Sequence, residues 1–264
     1  MSSKKVFIVD AARTPFGKFG GSLASVSATD LSVQLSSKLI DRANVSREDF
    51  DSVVGANVVQ SSSDAIYFSR HVALKNNLKL DVPCLNVNRL CGSGFEALVQ
   101  AAYRIMLDGD DLVLVTASES MSQIPYVLRD ARFGYRLGHG KLEDYLSESL
   151  TDSYSDLPMA LTAENLAQQY NISREEVDEY SFLSQQRASK AWDAGAFNEE
   201  VISFDVHDKK GNIAFSKDEH FRSDVSLDGV KKLKPLFKKD GTVTAATASG
   251  ICDGAASLIV ASEK

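Results

Sequence analysis

The chain has 264 residues, 44% hydrophobic, 25% charged and 8% aromatic, which excludes a disordered polypeptide and describes an ordinary folded one. Lys+Arg 29 against Asp+Glu 36 gives a net charge of -7, which argues against nucleic acid or an anionic membrane as general partner and requires any anionic ligand to be held locally. Three scattered cysteines exclude a disulfide scaffold and match no metal-ligand spacing, and the apolar runs fall far short of the roughly 20 residues that cross a bilayer.

Residues 5–11 read as a buried strand, and 28–43 as a helix with Leu31, Leu35 and Leu39 on one stripe and Asp30 near its start. The order then repeats, with 52–60 strand-like, 64–76 helical, 82–90 strand-like, 92–107 helical and 112–117 strand-like. This βαβα alternation predicts an α/β layer domain with a largely parallel sheet and right-handed crossovers. From Glu119 the chain turns polar, and two helical patterns follow at 159–170 and 174–194. Beyond Val201 come short strand-like pieces and a lysine-rich segment, before 242–248 and 254–261 return to a small-residue, β-rich pattern. The expected division is an α/β domain of 1–118 and 241–264 carrying 119–240 as an insertion, a length that a compact fold tolerates only in a functional segment.

The sharpest local feature is Asn88-Arg89-Leu90-Cys91-Gly92-Ser93-Gly94-Phe95-Glu96-Ala97, a strand ending at a cysteine that opens a helix. Phe95, Leu98, Val99, Ala102, Ile105 and Met106 recur at helical spacing, so the helix is expected to be buried along that stripe and to aim its positive end at Cys91. Such an end favours an anionic sulfur, and the small residues after Cys91 let a carbonyl approach backbone N–H groups that could form an oxyanion site. The plain alternative is that Cys91 is a core residue, since free cysteine is among the most buried types. Cys84 reads as a core strand residue, and Cys252 stays undecided. Gly92-x-Gly94-x-x-Ala97 also fits the dinucleotide fingerprint, but the acidic residue expected at the end of the next strand is missing.

His71, His139, His207 and His220 are dispersed and form no ligand pattern, so no metal and no basic partner for Cys91 is expected from them. Lys231, Lys232, Lys234, Lys238 and Lys239, with Arg222 upstream, form a basic cluster in an acidic chain. They read either as a solvated face or as cations holding a phosphorylated ligand, with Arg222 favoured for its fork of donors and Phe237 able to stack on a base.

These residues resemble the thiolases. Asn88 to Gly94 is similar to that family's acyl-accepting cysteine segment, and Ala11-Ala12-Arg13-Thr14-Pro15-Phe16-Gly17 to its opening. Further matches are Glu119-Ser120-Met121-Ser122, Thr162-Ala163-Glu164-Asn165, Asp240 to Ala245, Ala248-Ser249-Gly250 and Asp253-Gly254-Ala255-Ala256. Val59 to Tyr67 and Leu157-Pro158-Met159-Ala160 look most like the mitochondrial branch acting in fatty acid beta-oxidation, because the acetoacetyl-CoA-type bacterial branch carries histidine where Pro158 stands. The resemblance implies a layered thiolase fold and a mitochondrial location. It also implies ping-pong acyl transfer, in which Cys91 takes the acyl group of a 3-oxoacyl-CoA as a thioester and free CoA removes it. By the same likeness Leu150, Met159, Arg222, Phe237, Ala245 and Ser249 contact CoA, with Arg222 near the nucleotide and Ser249 near the pantetheine. No tightly bound cofactor or metal is implied; acyl-CoA is the substrate partner, a homo-oligomer is expected, and nucleic acid and membrane insertion are not.

The family continues into a similar second half bearing a further Cys-x-Gly segment together with Asn-Glu-Ala-Phe and Gly-His-Pro segments, and the last two do not occur in these 264 residues. The expectation is therefore the N-terminal portion with the nucleophile and part of the CoA site, weak as an enzyme alone and prone to self-association. The other reading is a silent acyl-CoA- or partner-binding remnant. Thr116-Ala117 and Ala246-Thr247 replace the family's usual Gly-Gly and Gly-Asn, and the added β-carbons are expected to crowd a ligand.

Overall fold

A computed structural model describes residues 4–208 and 211–264. Two compact units are present, one of Met1–Gln123, Phe197–His220 and Ile251–Lys264, the other of Ile124–Ala196 and Phe221–Gly250. The expected insertion of 119–240 differs from this division at three places. Residues 119–123 and 197–220 belong to the first unit, and 241–250 to the second.

The first unit is built on a mixed sheet. β1 (Val6–Arg13), β2 (Ser52–Ala56), β3 (Cys84–Val87) and β4 (Leu112–Ser120) are interleaved with α1 (Ala28–Ala43), α2 (Phe68–Lys75) and α3 (Ser93–Tyr103). Two further strands, β5 (Phe204–Asp208) and β6 (Gly211–Phe215), form a hairpin, and β7 (Cys252–Ser262) returns to the sheet. The order is β1-β7-β4-β2-β3. Only β4-β2 and β2-β3 are parallel, whereas β7 runs antiparallel to both neighbours. The expected largely parallel sheet is thus corrected. β7 arrives from far along the chain and slots between β1 and β4, a position that alternation in the first 118 residues does not reveal.

Local chemistry explains the well-placed helix. Ser27 accepts the Asp30 N–H at 3.1 Å to cap α1, and Asn44 ends it in the left-handed region with φ 52. Leu31, Leu35 and Leu39 then meet Phe50, Val53, Phe68, Leu114 and Ile259 on one face of the sheet. Alternate strand residues Val54, Val113, Val115 and Val260 face the other way, onto Ala97 and Ala101 of α3 and Ile105 just beyond it. Hairpin residues Phe204, Val206 and Phe215 join the α1-side core, and Arg13 exchanges backbone bonds with Glu200 (2.8 Å) and Ile202 (3.0 Å). This burial is why 197–220 belongs with the sheet.

Thr116 does not crowd a ligand. It lies wholly buried, its hydroxyl 2.9 Å from that of Ser32 and 2.8 Å from that of Ser257, which is in turn 3.0 Å from that of Ser36. Four hydroxyls thereby satisfy one another between α1 and the sheet.

In the second unit the two longest helices among the described residues are α4 (Met159–Gln169) and α5 (Arg174–Asp193). Ser173 and Glu176 form a capping box at the start of α5, and Arg174 bonds the buried Asp178 at 2.9 Å. Segment 242–248, expected as a strand, is a compact turn. Thr247 Oγ1 accepts the Thr244 N–H at 2.7 Å and donates to Thr242 O at 2.9 Å, and Ala248 N–H reaches Thr244 O at 2.9 Å. Threonine hydroxyls here offer the backbone local partners in place of a ladder.

Buried Glu164 of α4 ties that turn down, accepting the N–H groups of Thr242 (2.9 Å) and Val243 (2.8 Å) and the Thr242 hydroxyl (3.1 Å). Burial pushes its carboxyl up, but the two N–H groups, the Thr242 hydroxyl and Lys238 outweigh it and hold it below the ordinary glutamate value. A depressed folded value gives stability that is complete above the unfolded value near pH 4.3 and is lost as pH falls through the folded one. Glu164→Ala is expected to lower unfolding free energy by about 1–3 kcal/mol at pH 7, with the gap to wild type narrowing as Glu164 protonates under acid conditions. Denaturant melts at pH 7 and pH 3 check this; an equal gap at both would refute it.

Candidate active site

Cys91 sits in the turn between β3 and α3, one residue before Gly92 at the helix cap, and is exposed. Three interactions shape the turn. The Leu90 N–H bonds Asn88 Oδ1 at 3.0 Å, Ser93 Oγ accepts the Arg89 N–H at 2.8 Å, and Ser93 Oγ donates to Leu90 O at 2.6 Å. Arg89 reaches across to Glu96 at 2.7 Å. Leu90 is forced to φ 49, the left-handed region that a bulky side chain avoids, so the chain holds strain immediately before the cysteine.

A hydrogen-bonded brace stands behind the turn. Glu119 on β4 accepts Asn57 Nδ2 (3.0 Å) and the N–H groups of Val58 (3.0 Å) and Val59 (3.1 Å), and Val58 O accepts Asn88 Nδ2 at 3.3 Å. Burial raises the Glu119 carboxyl above its ordinary value despite these donors. The Glu119-Ser120 motif therefore reaches Leu90, and through it Cys91, by way of Asn88.

The expected buried stripe on α3 is corrected. The stripe holds at Ile105, just past α3, and at Leu98, which packs against the same core, but Ser93, Ala97 and Ala101 face the sheet in place of the others, with Phe95 78% exposed and Val99 and Met106 also open. A β-carbon on Gly94 would lie 3.8 Å from that of Ala117, so small residues let the first helical turn come close to β4. Ala117 therefore fills space beside the helix start.

The other cysteines differ chemically. Burial pushes the Cys84 thiol up, and burial followed by Asp253 and Asp218 does the same to Cys252. Of the remaining sequence candidates, His71 stacks on Tyr67 with Nδ1 3.4 Å from Asp64, and the side chain of His207 lies outside the described residues.

The six residues expected to hold CoA all lie in the second unit. Leu150 and Met159 are joined by a 3.0 Å backbone bond from Met159 N–H to Leu150 O, beside the paired strands Thr151–Asp152 and Leu157–Pro158. Phe237 follows Leu236, whose N–H bonds Val243 O at 3.0 Å, which brings it to the turn carrying Ala245. Glu164 links that turn to α4, which starts at Met159. Ser249 is exposed farther along the same segment.

Arg222 is held separately, at the C-terminal end of α5. Its N–H bonds Gln185 Oε1 at 2.8 Å, and the preceding Phe221 stacks on Trp192 with ring centres 6.4 Å apart. Arg222 lines a cavity of about 510 Å³ with Gln186, Ser189, Lys190, Asp193, Ser223 and Val225. Sequence reasoning named only Arg222 among these. Residues 186, 189, 190 and 193 share one helical face by their spacing, a signal that the lack of an apolar stripe concealed. Of the lysine cluster, Lys231 pairs with Glu179 at 3.7 Å and Lys238 bonds Gln168 at 3.0 Å, so both serve the unit's own helices.

Residues 6–264 match the family profile described as the thiolase N-terminal domain. The chain belongs to the thiolase family. It is 51% identical over 259 residues to the mitochondrial 3-ketoacyl-CoA thiolase of Homo sapiens, covering 98% of this chain and 65% of that protein. A crystal structure of the human enzyme in complex with CoA superposes with TM-score 0.94 at 50% identity, over 98% of this thiolase chain and 65% of that one. An acetyl-CoA acetyltransferase structure from Syntrophomonas wolfei gives TM-score 0.95 at 41% identity, over 99% and 66%. The 264 residues thus span about two thirds of these relatives. Among the described residues no helix is long and apolar enough to cross a membrane.

Proposed function

We propose that this thiolase chain carries the acyl-accepting nucleophile and part of the CoA-holding surface of a 3-ketoacyl-CoA thiolase that works in mitochondrial fatty acid beta-oxidation. Cys91 Sγ adds to the 3-oxo carbonyl carbon of a 3-oxoacyl-CoA. The bond between C2 and C3 breaks, its electron pair leaves on the acetyl-CoA carbon, and that carbon takes a proton. The acyl group stays on Cys91 as a thioester until the thiol of free CoA displaces it, restoring Cys91 and releasing an acyl-CoA shortened by an acetyl unit.

The observation that carries this reading is the exposed Cys91 on a strained, braced turn at the start of α3, in contrast to the two half-buried thiols. The names of the relatives support the substrate class and the mitochondrial setting. Leu150, Met159, Phe237, Ala245, Ser249 and Arg222 are assigned to CoA, with Ser249 at its pantetheine and Arg222 at its nucleotide. Proton transfer is assigned to none of these side chains.

The test is intact-mass analysis of the chain after incubation with a 3-oxoacyl-CoA and then with free CoA. The expected result is a mass gain equal to the acyl group that free CoA removes. A folded, CoA-binding sample that gains no mass would overturn the acyl-transfer reading in favour of a silent binding module.

We also propose that the chain self-associates. Phe95, Leu90 and Leu107 present apolar surface around α3, and β3 is an edge strand beside them. Sedimentation velocity is expected to show a dimer or larger species, and a monodisperse monomer would contradict it.

A further inference from the structure

Glu119 is a carboxylate that the acyl-transfer steps above do not use. Near the end of β4 it accepts N–H donors from Asn57 Nδ2 (3.0 Å), Val58 (3.0 Å) and Val59 (3.1 Å). Among the described residues no lysine or arginine pairs with it, and burial works against its charge. Glu164 offers the contrast, because it holds its own turn by two backbone N–H groups but has Lys238 beside it, and its carboxyl is drawn down rather than pushed up. A half-buried carboxylate without a cation is a costly fastening for a turn that had no task beyond folding.

The orientation of Asn57 bears on which form of Glu119 the fold requires. Its Nδ2 donates both to Glu119 and, at 2.9 Å, to Ser118 O, which leaves Oδ1 buried without a partner among the described residues. Turning the amide over would set oxygen against oxygen at Ser118. One acceptor is thus left unpaired so that three donors and no acceptor surround Glu119. That setting suits the ionised carboxyl, since a protonated one would point its hydrogen at a donor.

The segment so held is the one that governs the cysteine turn. Val58, whose N–H bonds Glu119, offers its carbonyl to Asn88 Nδ2 at 3.3 Å, and Asn88 Oδ1 accepts the Leu90 N–H at 3.0 Å. Leu90 stands at φ 49 beside Cys91, a conformation that persists only where its surroundings fix it.

We propose that Glu119 is a positioning residue for Cys91: its carboxylate fixes residues 57–59, these fix Asn88, and Asn88 holds Leu90 in the left-handed turn that presents the sulfur to the 3-oxo carbonyl. Glu119 acts through these residues and not on the substrate. The proposal rests on the acyl-transfer reading above and adds to it the group that keeps the nucleophile in place.

The experiment is a double-mutant cycle on the full chain. Glu119→Gln keeps the shape of the side chain but sets an amide N–H against an N–H donor whichever way it turns. Asn88→Ala changes an exposed side chain at the other end of the link. Both variants and their combination are compared with wild type by intact-mass rates of acylation over a range of 3-oxoacyl-CoA concentrations, and by hydrogen exchange of peptides covering residues 86–95 and 28–43. Each single variant is expected to slow acylation at saturating substrate about ten- to a hundredfold, with the half-saturating concentration within about twofold of wild type. Each should also speed exchange at 86–95 about tenfold and leave 28–43 unchanged. Because both changes cut one link, the combined variant should match the slower single variant within about twofold.

Effects that multiply in the combined variant would show that Glu119 does not act through Asn88, and the proposal would fall. It would fall equally if Glu119→Gln sped exchange over 28–43 as much as over 86–95, the mark of a carboxylate that only stabilises the whole unit. Unchanged exchange at 86–95 in Glu119→Gln would end the positioning role while the acyl-transfer reading stood. Should Glu119→Gln not fold, Asn57→Ala, which removes one of the three donors and keeps the carboxylate, takes its place in the cycle with the same outcomes decisive. If wild type gains no acyl group, the acyl-transfer reading fails, and the exchange data still decide whether Glu119 holds the turn.

Discussion

Cys91→Ala is expected to show no acyl adduct at all, because among the described residues no other thiol is exposed to form the thioester. Cys84 and Cys252 are half-buried with thiols pushed up by burial, which makes them poor substitutes. In wild type, iodoacetamide should label Cys91 first, and the fast labelling phase should vanish in Cys91→Ala while the melting temperature stays unchanged. Fast labelling that survives in Cys91→Ala would refute the assignment. Two neighbouring changes test the turn. Ser93→Ala leaves the Arg89 N–H without its 2.8 Å acceptor and frees Leu90 O from a 2.6 Å donor, so acylation should fall about ten- to a hundredfold through misplacement of the sulfur. Leu90→Gly relieves the left-handed strain at φ 49 but adds freedom to the unfolded chain, so stability should stay within about 1 kcal/mol while acylation slows.

Gly55→Val is expected to be the most damaging single change to the fold. Gly55 lies fully inside β2, in register with Asn86 of β3 and Thr116 of β4. A β-carbon there would overlap Ser69 Oγ and come within 2.9 Å of the Phe68 ring, and both belong to α2. Ser69 in turn donates its N–H to Asn86 Oδ1 at 2.9 Å and its hydroxyl to Leu85 O at 2.8 Å, so displacing it unhooks α2 from β3. Overpacking together with the loss of those bonds should cost about 3 kcal/mol or more, a fall in Tm of about 6–12 °C. Because β3 delivers the chain to Cys91, the variant should also lose selective labelling of that thiol. Pairing Gly55→Ala with Ser69→Ala relieves one of the two clashes and should be less damaging than the two single changes added together. A Gly55→Val protein that melts like wild type would remove this account of the β2 interior.

How much of this was legible follows from the physics of each segment. α1 could be placed to the residue because Ser27, Asp30 and Asn44 are local signals that need no tertiary context. The turn at Cys91 was equally legible, since glycine and small residues behind a short strand have few uses. The buried face of α3 was not. That helix is apolar on several sides, and periodicity cannot tell which side meets the sheet; the choice falls to Ala97 and Ala101 because small residues permit close approach. Thr242 to Thr247 read as β-rich because threonine favours strands, yet their hydroxyls bond the backbone two to five residues away and close a turn instead. Lys190 escaped notice because α5 has no strong apolar stripe from which to infer what its polar faces do.

The place of β7 in the sheet bears on how the chain reaches its fold. Val6 pairs with Ser262 and Arg13 with Ala256, so joining β1 to the sheet closes nearly the longest loop that the sequence allows. The strands β2, β3 and β4 with α2 and α3 need only short-range contacts, whereas β7 and β1 bring reward only after that closure. A partly folded chain therefore carries a parallel three-stranded core with Leu112-Val113-Leu114-Val115 along an unpaired edge. That edge is a segment on which partly folded chains would stick to one another.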